Sequence, residues 1–363
     1  MNGNGRMRTE SHPDQAVSPS PSDRARIARI NGAIRNAARD LRARHRFLGN
    51  QDSIGASLLL ASALGAASVA GAYGHHWLSG WVAVLAIAFF VSIAHEIEHD
   101  LIHQLYFRKR PIPHAAMMAV CWLLRPNTIN PWIRRGLHLH HHKVSGTETD
   151  LEERAITNGE PFGPKRLLMM GDGVLAVLLR LGQAGNRRGL ILAKFLAGYF
   201  PLGWVHFALW YGFLAVHAGR VFAPSFAPSW TASLDFVVTV WIVPNVLRSF
   251  CLNFMSSSMH YYGDVKPGAV LEQTQVLNAW RFLPLQLFCF NFGSTHAIHH
   301  FVANEPFYVR QWTARSAHRV LQAEGVPFND LGTFRRANRR GTDFERAALA
   351  EPVAASSPAV GRA

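Results

Sequence analysis

Eleven of the chain's nineteen histidines fall in four short stretches, at spacings that suit metal binding. His95, His99 and His103 recur at every fourth residue, interleaved with Glu96, Glu98 and Asp100. His138-Leu139-His140-His141-His142 is the second stretch, His260 stands alone as the third, and His296-Ala297-Ile298-His299-His300 is the fourth. On a helix, HxxxH and HxxHH each place their imidazoles on one face. In the second stretch His138, His141 and His142 share that face, and His140 points away as a bystander. Neutral imidazole suits iron, zinc and copper alike, and eight to ten such rings are too many for one ion. Two ions are therefore implied. With no cysteine ligand in the pattern, a redox pair of irons is the economical choice. A metal-bound imidazole commonly gives its other N–H to a carboxylate, which fixes the tautomer. Glu96, Glu98, Asp100, Asp150 and Asp264 are the acids placed to accept it.

The elements that must position these rings are read from the apolar runs, which have the lengths of membrane spans. Ile54–Tyr73 and Trp77–Ala94 form a first hairpin, and Phe195–Val216 and Trp230–Arg248 a second. In the fourth span Asp235 interrupts the run, and Arg248 is expected to snorkel to the interface. Ten arginines precede Ile54 and thirteen Lys or Arg lie between Asp100 and Gly189, so the positive-inside rule puts both termini and all four histidine stretches in the cytoplasm. The expected fold is all-α and integral to the membrane. Four transmembrane helices in two hairpins carry a cytoplasmic helical cap that holds a histidine-rich di-metal site.

Residues 1–23 and 347–363 have tail composition and flank one domain, 24–346. Arg24–Arg46 reads as a basic amphipathic helix on the membrane surface. Ala115–Leu124 is too short to span, and Leu167–Leu181 and Val276–Phe292 read as surface-lying helices. Asn130 before Pro131 marks one helix start, and Ser294 or Thr295 could cap another. The net charge of +14 lies beside apolar runs without interleaved aromatics, which favours lipid headgroups over nucleic acid. Cys121, Cys251 and Cys289 are isolated, as suits a reducing compartment.

The ordered set of HxxxH after a hairpin, HxxHH, a second hairpin, a solitary histidine and a final HxxHH resembles the integral-membrane fatty acid desaturases. It is also similar to the related alkane and lipid hydroxylases. The resemblance runs over roughly Ile54 to Arg310. It implies a non-haem di-iron centre, molecular oxygen as oxidant, and a long acyl or alkyl chain into which a double bond is introduced. By the same resemblance His95 and His99 are box one, His138, His141 and His142 box two, and His296, His299 and His300 box three. His260 matches the extra histidine before the last box. His103 is either a further ligand or a residue one turn below the cluster. Related enzymes add an asparagine four residues before that extra histidine, where this chain has Ser256, and Asn253 lies farther off.

No flavin fingerprint or cysteine cluster is present, so electrons are expected from a separate ferredoxin-, rubredoxin- or cytochrome-type donor with its reductase. A bacterial chain of this kind would sit in the inner or cell membrane among its lipids. Hydroxylation of an alkane or lipid on the same scaffold is the alternative. From another class, His95-Glu96-Ile97-Glu98-His99 satisfies H-E-x-x-H, the zinc metalloprotease pattern, with Glu96 as general base. A metal transporter would need polar groups within the spans, and His206 and Asp235 are the main ones.

Overall fold

The computed structural model describes residues 19–182, 188–224 and 228–341. Most of the N-terminal tail and all of the C-terminal tail lie outside them. Helices make up the fold, and the described residues hold only two isolated β-bridges. Three helices are long and apolar enough to cross a membrane: α2 (Gln51–Gly74), α3 (Gly80–Ile102) and α11 (Thr231–Met259). The chain is an integral membrane protein.

The third expected span is not one straight helix. Arg188–Tyr199 (α9) and Leu202–Phe222 (α10) meet at Phe200-Pro201 and are bent by 99°, so the pair counts as a fourth crossing only if taken together. Pro201 has no N–H for a continuing ladder, and its ring excludes the preceding turn. Within α11, residues Val238–Ile242 form a π turn just ahead of Pro244, the same adjustment in milder form.

Helices α2 and α3 pack as the first hairpin. Leu60 and Leu64 on α2 face outward, 59% and 57% exposed, toward the lipid side. From Ala94 to Ile102, by contrast, α3 is buried on every side, acids and histidines included. Gly55 explains part of this: a Cβ there would meet the Tyr106 ring at 2.5 Å. The ring fills that space and brings its hydroxyl 2.8 Å from Asp100, to which it donates.

The remaining helices build the cap. α4 (Pro111–Leu124) is the short apolar helix, and α5 (Pro131–Val144) carries the second histidine stretch. Asn130 caps α5 as expected, its side chain accepting from Trp132 N at 3.1 Å. The helix expected over Leu167–Leu181 divides at Asp172 into α7 (Pro164–Gly171) and α8 (Gly173–Leu181), after the one-turn α6 (Leu151–Ala155). Asp172 caps α8 by accepting from Leu175 N, which is the reason for the break. Val276–Phe292 is not one helix: a 3-10 turn at Trp280–Phe282 runs into a single helical turn at Leu283–Leu287, and the rest is irregular. Pro284 and the buried Gln286, whose amide bridges Leu277 O and Gly293 N, take the place of a continuous ladder.

α12 (Phe292–Phe301) carries the fourth histidine stretch and α13 (Phe307–Ala323) follows it. Ser294 and Thr295 lie inside α12 and do not cap it; Asn291, in a left-handed conformation, precedes its first turn. α1 (Pro21–Arg44) was expected on the membrane surface, but α13 occupies its apolar stripe. Ile30 and Ile34 are buried in the cap core with Ala317 and Leu321, each contributing about 2 kcal/mol. Arg29 and Arg42 pair with Glu324 and Glu305 at the two ends of that contact.

Candidate metal centre

Four elements deliver the histidines to one volume. α3 brings His99 and, at its C-cap, His103; α5 brings His138, His141 and His142. His260 ends α11, and α12 brings His296, His299 and His300. They sort into two groups whose ligating nitrogens lie within 4.8 Å of one another: His99, His103, His138 and His299 in one, and His141, His260, His296 and His300 in the other. His142 joins the first group by its Nε2, 3.2 Å from His138 and 3.1 Å from His299. Its ring centroid is also 5.0 Å from that of His300, so the two groups adjoin.

His95, expected in box one, stands outside both groups, and His103 stands inside the first. Successive i, i+4 steps on a helix drift by about 40° each, so His95 and His103 are about 80° apart around α3. Arg125 fixes His95 where it is, donating to its Nδ1 at 3.0 Å. The pair that meets the other boxes is therefore His99 and His103. His140 is exposed, as expected of a bystander.

A metal is the group these rings fit. Asp150 lies 2.7 Å from Nδ1 of His141, Glu152 2.8 Å from Nδ1 of His138, and the Ser256 carbonyl 2.8 Å from Nδ1 of His260. Each acceptor places the proton on Nδ1 and leaves a lone pair on Nε2. Those lone pairs then face other Nε2 atoms. His138 meets His103 at 3.0 Å, while His141 and His260 both meet His300, at 3.4 and 3.2 Å. His300 can donate one proton at most. Buried His99 has no hydrogen-bond partner on either ring nitrogen among the described residues. Clustered lone pairs and an orphaned buried imidazole call for cations between them.

The electrostatics keep most of these rings neutral. Burial, reinforced by neighbouring imidazoles, holds His296, His299 and His300 well below the ordinary histidine range, and His260 is held at about 3 for the same reasons. His141 departs in the other direction: burial opposes its protonation, but the Asp150 hydrogen bond and charge outweigh it. Burial and then the charges of Asp150 and Glu152 raise Glu153 well above the usual carboxylate range. Glu153 lies 3.1 Å from His260 Nδ1. The cluster of His141, Asp150 and Glu153 uses the Nδ1 side of His141, so it supports the second group and is not a separate site.

The expected acids divide. Asp150 holds a ligand ring directly. Glu96 and Asp100 both accept from Arg310, at 3.2 and 3.1 Å, and Arg310 in turn lies against Nδ1 of His299. Glu98 binds Arg125 and Arg134. Asp264 is not at the site: it accepts from the backbone N–H of Arg340 and Gly341, because the positive φ of Gly263 turns that loop outward. Sequence reasoning missed Glu152, Glu153 and Arg310. The two glutamates carry a signal, since they follow Asp150 in the first turn of α6 and would face α5 across a short loop. Arg310 carries none.

The H-E-x-x-H reading loses its geometry here. His95 and His99 lie in different surroundings, and Glu96 is ion-paired to Arg310 at 3.2 Å. Ser256, at the position where related chains have asparagine, offers its carbonyl to His260, and Asn253 donates to Met170 O at 2.9 Å.

Beside both groups opens a cavity of about 850 Å³, within the range of ligand pockets. Its wall includes His99, His141 and His260 together with apolar side chains such as Ile133, Phe195, Phe207 and Leu252. Arg248 lines it as well; expected to snorkel, it is buried instead, 1% exposed.

A family model described as fatty acid desaturase matches residues 75–333, which takes in every element of the site. A search of curated proteins found no match.

Proposed function

This chain belongs to the fatty acid desaturase family, and from that premise we propose that it is a membrane-bound, di-iron oxidoreductase that introduces a double bond into a long hydrocarbon chain. The observation that carries the reading is the pair of adjoining histidine groups on the wall of a largely apolar cavity. His99, His103, His138, His142 and His299 would hold one iron, and His141, His260, His296 and His300 the other. Bound iron supplies the oxidation of an unactivated C–H bond by molecular oxygen. Over the cycle two hydrogens leave the chain and oxygen is reduced to two waters, with two further electrons from a separate ferredoxin-, rubredoxin- or cytochrome-type donor and two protons from solvent.

The protein's own part is positioning. Ile133, Phe195, Phe207 and Leu252 bind the hydrocarbon and exclude water from the histidines. Asp150, Glu152 and the Ser256 carbonyl keep the protons of His141, His138 and His260 on Nδ1, so that Nε2 stays directed inward. We place the histidine groups and both chain ends on the cytoplasmic side, a reading supported by the basic residues around them.

Hydrocarbon and lipid profiling by mass spectrometry, in cells expressing the wild-type chain or His141→Ala, tests the proposal. A new alkene that disappears with the variant supports it. A product carrying only a new hydroxyl group would assign the chain to hydroxylation on the same scaffold and overturn the desaturase reading.

A further inference from the structure

Arg125, Arg134 and Arg248 line the cavity; the first and last are buried, and the Arg134 side chain is 16% exposed. The first two share Glu98, and Arg134 also reaches Glu152. Arg248 has no carboxylate partner among the described residues. Its Nη2 donates to Ser249 Oγ at 2.9 Å and to Asn127 Oδ1 at 3.4 Å, and its Nε to Asn245 Oδ1 at 3.4 Å, while Nη1 is buried with no partner. A guanidinium taken out of water with no carboxylate in contact is costly, and such a group is normally retained for a partner.

Two further orphans open on the same cavity. His95 accepts from Arg125 on Nδ1, so its proton sits on Nε2, and that atom is buried without a partner. His206, on α10, has an unpartnered Nδ1. Both imidazoles line the same cavity as Arg248. Arg248 and His260 sit on one helix, twelve residues apart, which is about 18 Å of axis. The cavity therefore has an apolar wall, the histidine groups at one end, and buried donors at Arg248, His206 and His95, of which His95 lies one turn from His99.

Resting on the oxidoreductase reading above, we propose that Arg248, assisted by His95 and His206, anchors the carboxylate of a long-chain acid inside the cavity. The acid would then enter as the free carboxylate and not on a bulky carrier that must remain outside. The missing counter-charge is the carboxylate itself, and the unpaired donors are the hydrogen bonds it completes.

Binding to the purified full-length protein in lipid nanodiscs tests this, with stearate, methyl stearate and a lysophosphatidate of the same chain as probes. A charge-assisted contact of this kind is worth about tenfold or more in affinity. Wild-type protein should bind stearate at least about tenfold more tightly than the methyl ester. Arg248→Met should bring stearate down to the level of the ester and leave the ester unchanged, which also shows that the variant is folded; Arg248→Lys should keep part of the preference. Equal affinity of the wild type for acid and ester would overturn the proposal without any variant. A preference surviving Arg248→Met would also overturn it, and so would an Arg248-dependent preference for lysophosphatidate over stearate, which would assign the patch to a phosphate headgroup. Product analysis on the same preparations separates this from the functional reading. Arg248-dependent acid binding with no oxidised product leaves the anchor standing and removes the oxidoreductase; an alkene formed without any acid preference does the reverse.

Discussion

The two histidine groups are built from the same residue type at nearly the same spacings, yet their surroundings differ. In the group of His141, His260, His296 and His300 all four rings are buried, and carboxylates or a carbonyl stand behind two of them. In the group of His99, His103, His138 and His299, His103 is only partly buried. Glu152 backs His138 there, but the cation Arg310 lies against His299. A carboxylate behind an imidazole raises its basicity toward a metal, and a guanidinium does the opposite. The comparison teaches that ligand spacing sets where an ion goes, while the residues behind the rings set how firmly it is held. The His141 group should be the tighter site and the His99 group the more exchangeable one.

The largest effect should come from removing a ring outright. His300→Ala should abolish product and lower iron from two per chain to one, read by metal analysis of purified protein; unchanged iron would remove His300 from the ligands. Next, Arg310→Gln should leave Glu96 and Asp100 buried without their cation and destabilise the fold by about 3–5 kcal/mol, measured by thermal or denaturant unfolding. Asp150→Asn should weaken iron retention in the His141 group by about 10–100-fold in a chelator competition. In the wild type the same competition should empty the His99 group first. If the two groups empty together, the contrast drawn from their surroundings is wrong.

Acid sharpens the comparison in a different way. In metal-free protein burial holds both His103 and His260 at about 3, whereas an unfolded histidine titrates near about 6.5. The unfolded chain therefore binds more protons in that window, and stability should be full above about pH 6.5 and fall as pH drops toward 3. His141, whose pKa is raised, contributes with the opposite sign: its share is present below the unfolded value and lost as pH rises through the folded one. A pH series of unfolding midpoints that rises on acidification would contradict this balance. The smallest effect is expected of His95→Phe, which should leave iron at two per chain where His103→Ala does not.

Much of this arrangement was legible in the sequence, for identifiable reasons. HxxHH on a capped helix dictates a shared face, and the apolar runs dictate which ends of the helices lie together. Asn130 and Pro131 marked the start of α5 correctly, because capping is a local matter. Which two rings of the first stretch join the others was not legible, because three rings at i, i+4 look equivalent in one dimension, and only the drift around α3 and the grip of Arg125 separate His95 from His103. The bend within the third span was not legible, because hydropathy is blind to it. Arg310 and Arg248 were not legible as site residues, since their roles depend on which buried groups lack a partner once the chain is packed.

An anomalous-scattering map at the iron edge, collected on crystals of the iron-loaded protein, tests the central claim most directly. Two peaks are expected, one among His99, His103, His138, His142 and His299 and one among His141, His260, His296 and His300. A single peak, or one beside His95 and Glu96, would contradict it.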